Sequence, residues 1–559
     1  MMRYSGLHKF FILCFLFAGT LACEQAFEDR LDNQLREDQV YDTYGRIMDL
    51  GYNIYTYMPE GFNSIDDAYL AGASDEGEHS WDDSRIRLFN EGSWSKYDNP
   101  DDQWDKMYEG IRRANLFLEN SGQLELFMVA DTFTPTDKVN YEKNLANLGF
   151  MRAEARFLRA YFHFELIKRY GAVPIVTRTL GLDEGLDINR TSYEDCMQFV
   201  VSECDSTKDK VLTLFNFFDN TKEGRITTAT VLALKSRAML YSASPQNNPG
   251  NDPSKWLAAA AAANEFMTFN ASLGYYQIHT DYGELFIPPN SYESKEVILS
   301  RRYGESNFVE SANYPIGTDG GQSGTCPSHN LVDSYEKLAG WTPDQPYENR
   351  DPRLQMTVVV NNSDWNGRKI EIWSGGRDGK TGGIDRATKT GYYLKKFLVD
   401  NLELSKDQTA RHAWIYFRYA EILLNYAEAV NEAYDFDVVP PGYPMSARAA
   451  IDLIRKRASM PPVVATNREE LRDRIKHERR IELAFEGHRF WDARRWMEGE
   501  AILGSDLMGV DIERVNDSVF TYTEVLVENR VFKSHMNLYP ISEQELIKYQ
   551  GSMTQNPGW

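Results

Sequence analysis

Cysteine is scarce in this 559-residue chain, with five in all. Cys196, Cys204 and Cys326 lie well inside it, too few for a disulfide framework, which a chain of this length does not need. Cys196 and Cys204 are eight residues apart on a predicted helix, ~12 Å along its axis and beyond the ~7 Å Cα limit for a disulfide. No Cys-x-x-Cys or Cys/His metal spacing occurs, so neither zinc nor redox chemistry is expected. Positive charge is also short: 61 Lys+Arg against 83 Asp+Glu leave a formal net charge of −22. That balance argues against nucleic acid as a partner, whose phosphates demand a basic footprint. Past the N-terminus no apolar run approaches the ~20 residues of a membrane-spanning helix. What is present, 42% hydrophobic and 26% charged residues, is of globular proportion and supports a sizeable core.

Residues 1–22 are expected to form a signal peptide. Arg3 and Lys9 give a positive start, residues 10–18 a short apolar stretch, and Ala22 a small residue at the cleavage position. The stretch is too short for a first transmembrane helix, and acidic Glu24, Glu28, Asp29 and Asp32 follow at once. Thr20-Leu21-Ala22-Cys23 is similar to a bacterial lipobox, which makes Cys23 the predicted lipidation site; the alternative is a secreted protein with an incidental cysteine. Acylation suffices as an anchor, because each buried CH₂ contributes ~0.8 kcal/mol and several chains make release slow. Residues 23–37 then read as a lipidated polar tether, and 38–559 as a single body.

Within that body, helical periodicity runs through residues ~38–58, ~102–120, ~141–170, ~192–210, ~228–243, ~253–269, ~412–434, ~446–458 and ~467–498. Ala153, Phe157, Ala160, Phe164 and Ile167 make one apolar stripe, and Ile415, Tyr419, Ile422, Tyr426 and Ala429 another. Small and aromatic residues alternate in these stripes, as closely packed helix pairs require. Asp252-Pro253 reads as N-cap and first helical residue. Thr466 with Glu469 and Ser542 with Glu545 fit capping boxes, the latter with an Ile541/Leu546 staple, while Gly171 and Pro174 end a long helix. Residues ~59–100 and ~272–410 instead carry Gly, Asn, Asp, Ser, Pro and aromatics, with strand-like runs at 356–360 and 368–373. They are expected to be ordered excursions from a mainly helical scaffold, and long ordered loops are usually functional.

Catalytic patterns are weak. His477-Glu478 begins like a zincin helix but lacks the second His, and His488 would lie ~16 Å further along a continuous helix. Asn362, Asp364 and Asn366-Gly367 start like a calcium loop, yet Trp373 stands where the bidentate Glu belongs, so an Asx-rich turn is expected. Gly320-Gly321 and Gly375-Gly376 lack the Lys-Ser/Thr of a phosphate loop, and no Gly-x-Ser-x-Gly elbow occurs. Glu478, Glu482 and Glu486 with Arg479, Arg480 and Arg489 are expected to form charged helix faces and interhelical pairs.

Several blocks together resemble the SusD/RagB family of nutrient-binding outer-membrane lipoproteins. They are Trp104 to Tyr108 with Arg113-Ala114-Asn115, Arg152 to Ala160 running on to Tyr170-Gly171-Ala172-Val173-Pro174, Arg418 to Ala429, Glu478 to Arg489, and the ending Asn556-Pro557-Gly558-Trp559. The resemblance implies four tetratricopeptide-like helix pairs plus an irregular ligand-facing part. It also implies a surface lid on a SusC-like TonB-dependent transporter barrel that captures oligosaccharides or other nutrients, with no enzymatic activity and no cofactor. The alternatives kept open are peptides or glycopeptides on the same scaffold and, from a different class, a glycoside hydrolase.

Aromatic residues are the best lead to the ligand. Trp81, Trp94, Trp341, Trp365 and Trp373 sit in the excursions, where an indole face can accept the apolar face of a sugar; a mini-core within a long loop is the competing role. By the resemblance, the ligand face follows an Asp75-Glu76 step. The expected ligand-binding residues are Asp75, Trp81, Arg85, Trp94, Tyr97, Asn99, Tyr303 and Tyr314, with Trp94 sharing an exposed concavity with Trp81 or a tyrosine.

Overall fold

A computed structural model describes residue 41 and residues 43–124, 128, 132–181, 184, 188–214, 224–380, 386–549 and 551–559. The predicted signal peptide, Cys23 and the tether lie outside the described residues. Ten helices carry the scaffold: α1 (Tyr44–Ile54), α2 (Trp104–Asn120), α3 (Pro135–Tyr170), α4 (Tyr193–Thr207), α5 (Thr228–Ala243), α6 (Pro253–Leu273), α7 (Tyr419–Ala433), α8 (Ala447–Arg457), α9 (Arg468–Glu482) and α10 (His488–Arg495). From α2 to α8 each helix packs on the next in the chain, and α7 also receives α9. Successive packing of this kind buries the stripes of small and aromatic residues: Phe157, Phe164, Ala238, Ile422 and Ala429 are all buried in one core. Among the described residues no helix is long and apolar enough to cross a membrane.

Local signals set most boundaries. Asp252 caps α6 through Ser254 N–H with Pro253 first in the helix, and Ser542 accepts from Glu545 N–H. Four expectations need correction. Helix α3 starts at Pro135 rather than near 141, because Thr134 and Asp137 form a capping box that sequence reading passed over. The 412–434 stretch begins as a strand, β8 (Ala413–Arg418), which pairs with β2 (Val297–Arg302), so Trp414 is a strand residue. A run of alternating bulky residues satisfies a strand as readily as a helix, and the partner strand decides. The 467–498 stretch breaks into α9 and α10 at 483–487, where Phe485 and Gly487 take left-handed φ of 62° and 78°. The N-cap of α9 is Asn467, one residue later than the expected Thr466.

The excursions hold short antiparallel pairs: β1 (Gly77–His79) with β3 (Thr325–Pro327), β4 (Val358–Val359) with β7 (Tyr393–Leu394), and the hairpin β5 (Asp364–Trp365) to β6 (Arg368–Lys369). Asn366 and Gly367 turn that hairpin with φ of 52° and 69°, the conformation an Asn-Gly turn supplies. A longer hairpin, β9 (Leu507–Arg514) with β10 (Phe520–Glu528), lies outside both expected excursions. Beneath these strands lies a second core, which includes Phe62, Tyr69, Phe286, Tyr314, Tyr393 and Phe485.

The charged run of α9 is buried rather than solvated. Arg418 bonds Glu296 and Glu482 at 2.7 Å each and Glu486 at 2.7 Å, while Arg353 holds Asp351 and Glu482. Arg418 is 1% exposed, and its three carboxylates are themselves out of water. These pairs join α9 and the strand β8 to the excursion that carries Arg353, so they tie scaffold to excursion as well as helix to helix.

Candidate functional site

The antiparallel β1–β3 pair zips the two excursions together, with Glu78 opposite Cys326 and His79 opposite Thr325, and Ser80 N–H continues to Gly324 O. The chain therefore delivers Trp81 beside Gln322. Trp81 is half-buried and its indole N–H donates to Gln322 O at 2.7 Å. With the polar edge of the indole held, the ring plane is fixed, and the Arg386 guanidinium lies 4.0 Å from its centroid. Arg386 in turn donates to Gln322 Oε1 at 2.8 Å. Stacked cation and ring form a platform with hydrogen-bond donors at its edge, which is suited to an apolar face flanked by hydroxyls or carboxylates.

Charged groups continue along the same stretch. Exposed Asp82 accepts from Arg87 at 2.7 Å and Lys389 at 2.6 Å, and the Lys389 hydrogen bond leads in holding its carboxyl below the usual range. Arg85 pairs with Asp98, both about half exposed, and its backbone N–H donates to Asp66 at 2.9 Å. Tyr97 is 75% exposed, with Lys96 Nζ 5.1 Å from its ring. Tyr303 is partly exposed and donates to Glu60 at 2.9 Å, in the 60–66 loop whose Asp66 Arg85 touches.

The remaining expected residues have other work. Trp94 is 3% exposed, wedged against Phe89, Tyr539 and Trp559 at 4.9, 5.1 and 4.5 Å. Tyr314 is fully buried, donating to Val399 O and lying edge-on to Trp365. Neither offers a ring face to a ligand, so the shared concavity expected around Trp94 does not form. Asp75 is buried and takes Arg489 in a bidentate pair at 2.8 and 2.9 Å, with Arg480 at 2.7 Å. It ties β1 to the α9–α10 break instead of facing solvent. Asn99 accepts from Asp101 N–H at 3.1 Å and shapes a turn.

Two acids beside this face, Glu76 and Glu78, are withdrawn from it. Burial pushes Glu76 up to about 8 and Glu78 up to about 7, yet both carboxyls are shut away from the surface. A cavity of about 200 Å³ beneath Trp414 is lined by Glu165, Lys168, Arg237, Glu486 and His488. Its acids are spoken for: Glu165 pairs with Lys168 and Arg169, Glu486 with Arg418 and Lys396, and these cations hold both carboxyls down to about 2 against the opposing effect of burial. A general acid at neutral pH needs the opposite shift. Glu478, the acid of the zincin-like run, is committed to Arg353 and Arg455.

Comparisons with known proteins agree with this architecture. The model of the SusD family matches residues 293–559, and a second family model, described as starch-binding associating with outer membrane, matches 71–240. SusD-like protein P38 of Formosa agariphila is 26% identical over 417 residues, covering 72% of this chain and 73% of that protein. A SusD-like protein from Bacteroides fragilis shares the fold at a TM-score of 0.76 and 23% identity, over 94% of this chain and 99% of its own. A laminarin-binding SusD-like protein superposes with a TM-score of 0.63 and 21% identity, over 92% and 99% of the two chains. With both family models in chain order on a mainly helical scaffold whose excursions meet at β1 and β3, the chain belongs to the SusD/RagB family.

Proposed function

We propose that this protein is a non-catalytic, surface-exposed lipoprotein of the outer membrane, anchored through Cys23, that captures oligosaccharides and delivers them to a SusC-like TonB-dependent transporter. One observation carries the ligand reading: Trp81, half-buried, is locked in plane by Gln322 and stacked by the Arg386 guanidinium at the seam of the two excursions. A rigid ring costs little conformational entropy on binding, and guanidinium donors at its margin satisfy sugar hydroxyls. The laminarin-binding relative of the same fold supports a glucan as the first ligand to try. Tyr97 and Tyr303 are secondary contacts on this reading. The paired state of the carboxylates supports binding without turnover.

The test is retention of the purified protein in gels containing laminarin or soluble starch, followed by prolonged incubation and product analysis. Retention with no change in chain length is expected. Release of shorter saccharides would replace this reading with glycoside hydrolysis, and failure to bind any glycan while binding peptides would move the ligand class.

A further inference from the structure

A cavity of about 850 Å³ shares no residue with the Trp81 face. It lies between the 344–348 loop, the 358–365 segment and the start of β10, and its volume is that of a small-ligand site. We propose that this groove is a second saccharide-binding site, taking a neutral oligosaccharide segment; the inference rests on the glycan reading above.

Its aromatic walls are held in place from behind. Phe520 and Tyr522 are two apart on β10, so they share one face of the strand, and both are only partly buried. Phe520 leans on Trp373 with ring centroids 5.2 Å apart, and Tyr522 meets Tyr347 edge-on at 5.4 Å. These contacts fix ring orientation before any ligand arrives, which is what stacking on a flat sugar face requires.

The polar groups of the groove are suited to hydroxyls. Trp365 is 4% exposed, lines the groove, and its indole N–H has no partner among the described residues. A buried donor left unmade costs stability, and a ligand oxygen is an acceptor that would relieve it. Amides of Gln355 and Asn362 stand exposed at the rim, where each offers both donor and acceptor. Lys369 is matched by Asp364 at 2.9 Å. Lys395, Asp344 and Glu348 complete the charged lining, so both signs are present and the groove does not select a ligand of one charge.

The test uses the full chain and laminarihexaose, with maltoheptaose and a neutral hexapeptide as comparison probes. Hydrogen exchange should slow at 361–365 and 518–522 when laminarihexaose or maltoheptaose is added, and should still do so in Trp81→Ala. Tyr522→Ala should weaken saccharide binding about 5- to 100-fold. Gln355→Ala and Asn362→Ala, at exposed positions that leave the core intact, should each weaken it several-fold, so the outcome does not depend on how Tyr522→Ala folds. Protection confined to residues 79–98 with unchanged affinity in the groove variants overturns the second site and leaves the proposed function standing. Protection of the groove by the hexapeptide alone overturns the ligand class. No saccharide binding anywhere in wild-type protein overturns the glycan reading and this inference with it.

Discussion

Replacing Glu76 by Gln should stabilise the protein, and the size of the gain should depend on pH. Glu76 is 1% exposed and neither of its carboxylate oxygens has a hydrogen-bond partner. Its neighbour Asp75 already occupies Arg489 and Arg480. Burial, reinforced by the Asp75 charge, therefore pushes Glu76 up to about 8. In the unfolded chain the same group titrates at ~4.3. A carboxyl whose folded value is raised supports stability fully below the unfolded value, and that support is lost as pH climbs to the folded one. The slope is at most about 1.4 kcal/mol per pH unit, and relaxation around the charged form leaves about 2–4 kcal/mol over the whole window. Gln mimics the neutral acid without that loss. Thermal melts of wild type and Glu76→Gln should coincide below about pH 4 and diverge upward for the variant to pH 8, by about 1–3 kcal/mol at pH 7. Taking the difference between the two proteins cancels Glu78, which burial shifts in the same sense. A variant less stable than wild type at pH 8 would refute the reasoning, because it would mean that the carboxylate is ionised and paired, with Arg489, Lys396 or Arg480 as its cation.

Trp81→Ala should weaken laminarin binding by ~1–3 kcal/mol in a titration while leaving the melting temperature within a degree, whereas Trp94→Ala should lose about 3–5 kcal/mol of stability in a denaturation series. The reverse pattern would exchange platform and core. Arg418→Ala leaves Glu296, Glu482 and Glu486 without their shared cation and should destabilise by about 3–5 kcal/mol at neutral pH, read by thermal or urea melts. Acidification should narrow the gap progressively, because the buried carboxyls that lose Arg418 take up protons in the variant at higher pH than in wild type, where Arg418 and Lys396 hold Glu486 down to about 2. Cys23→Ala should shift the protein out of the outer-membrane fraction with its melting temperature unchanged; wild-type protein free of acyl chains by mass spectrometry would remove the anchor from the proposal.

The sequence by itself carried the helical scaffold, because stripes such as Phe157 to Ile167 and caps such as Asp252-Pro253 are local patterns that one helix suffices to express. Family blocks in chain order carried the family. Where a segment had no periodicity of its own, reading stopped at its composition, and the β9–β10 hairpin went unread although Phe520, Tyr522 and the 516–518 turn show a strand's alternation. Only tertiary structure decided which aromatics face a ligand. Trp81 and Trp94 sit 13 residues apart in one excursion, yet Trp94 is buried by Tyr539 and Trp559 from the other end of the chain while Trp81 stays half-buried against Gln322, His79 and Arg386. Likewise the acids of α9 read as charged faces and interhelical pairs, and only the fold sets Arg353 and Arg418, distant in sequence, against them. Burial is a property of what packs on a residue from elsewhere, and a single strand or helix does not encode its own cover.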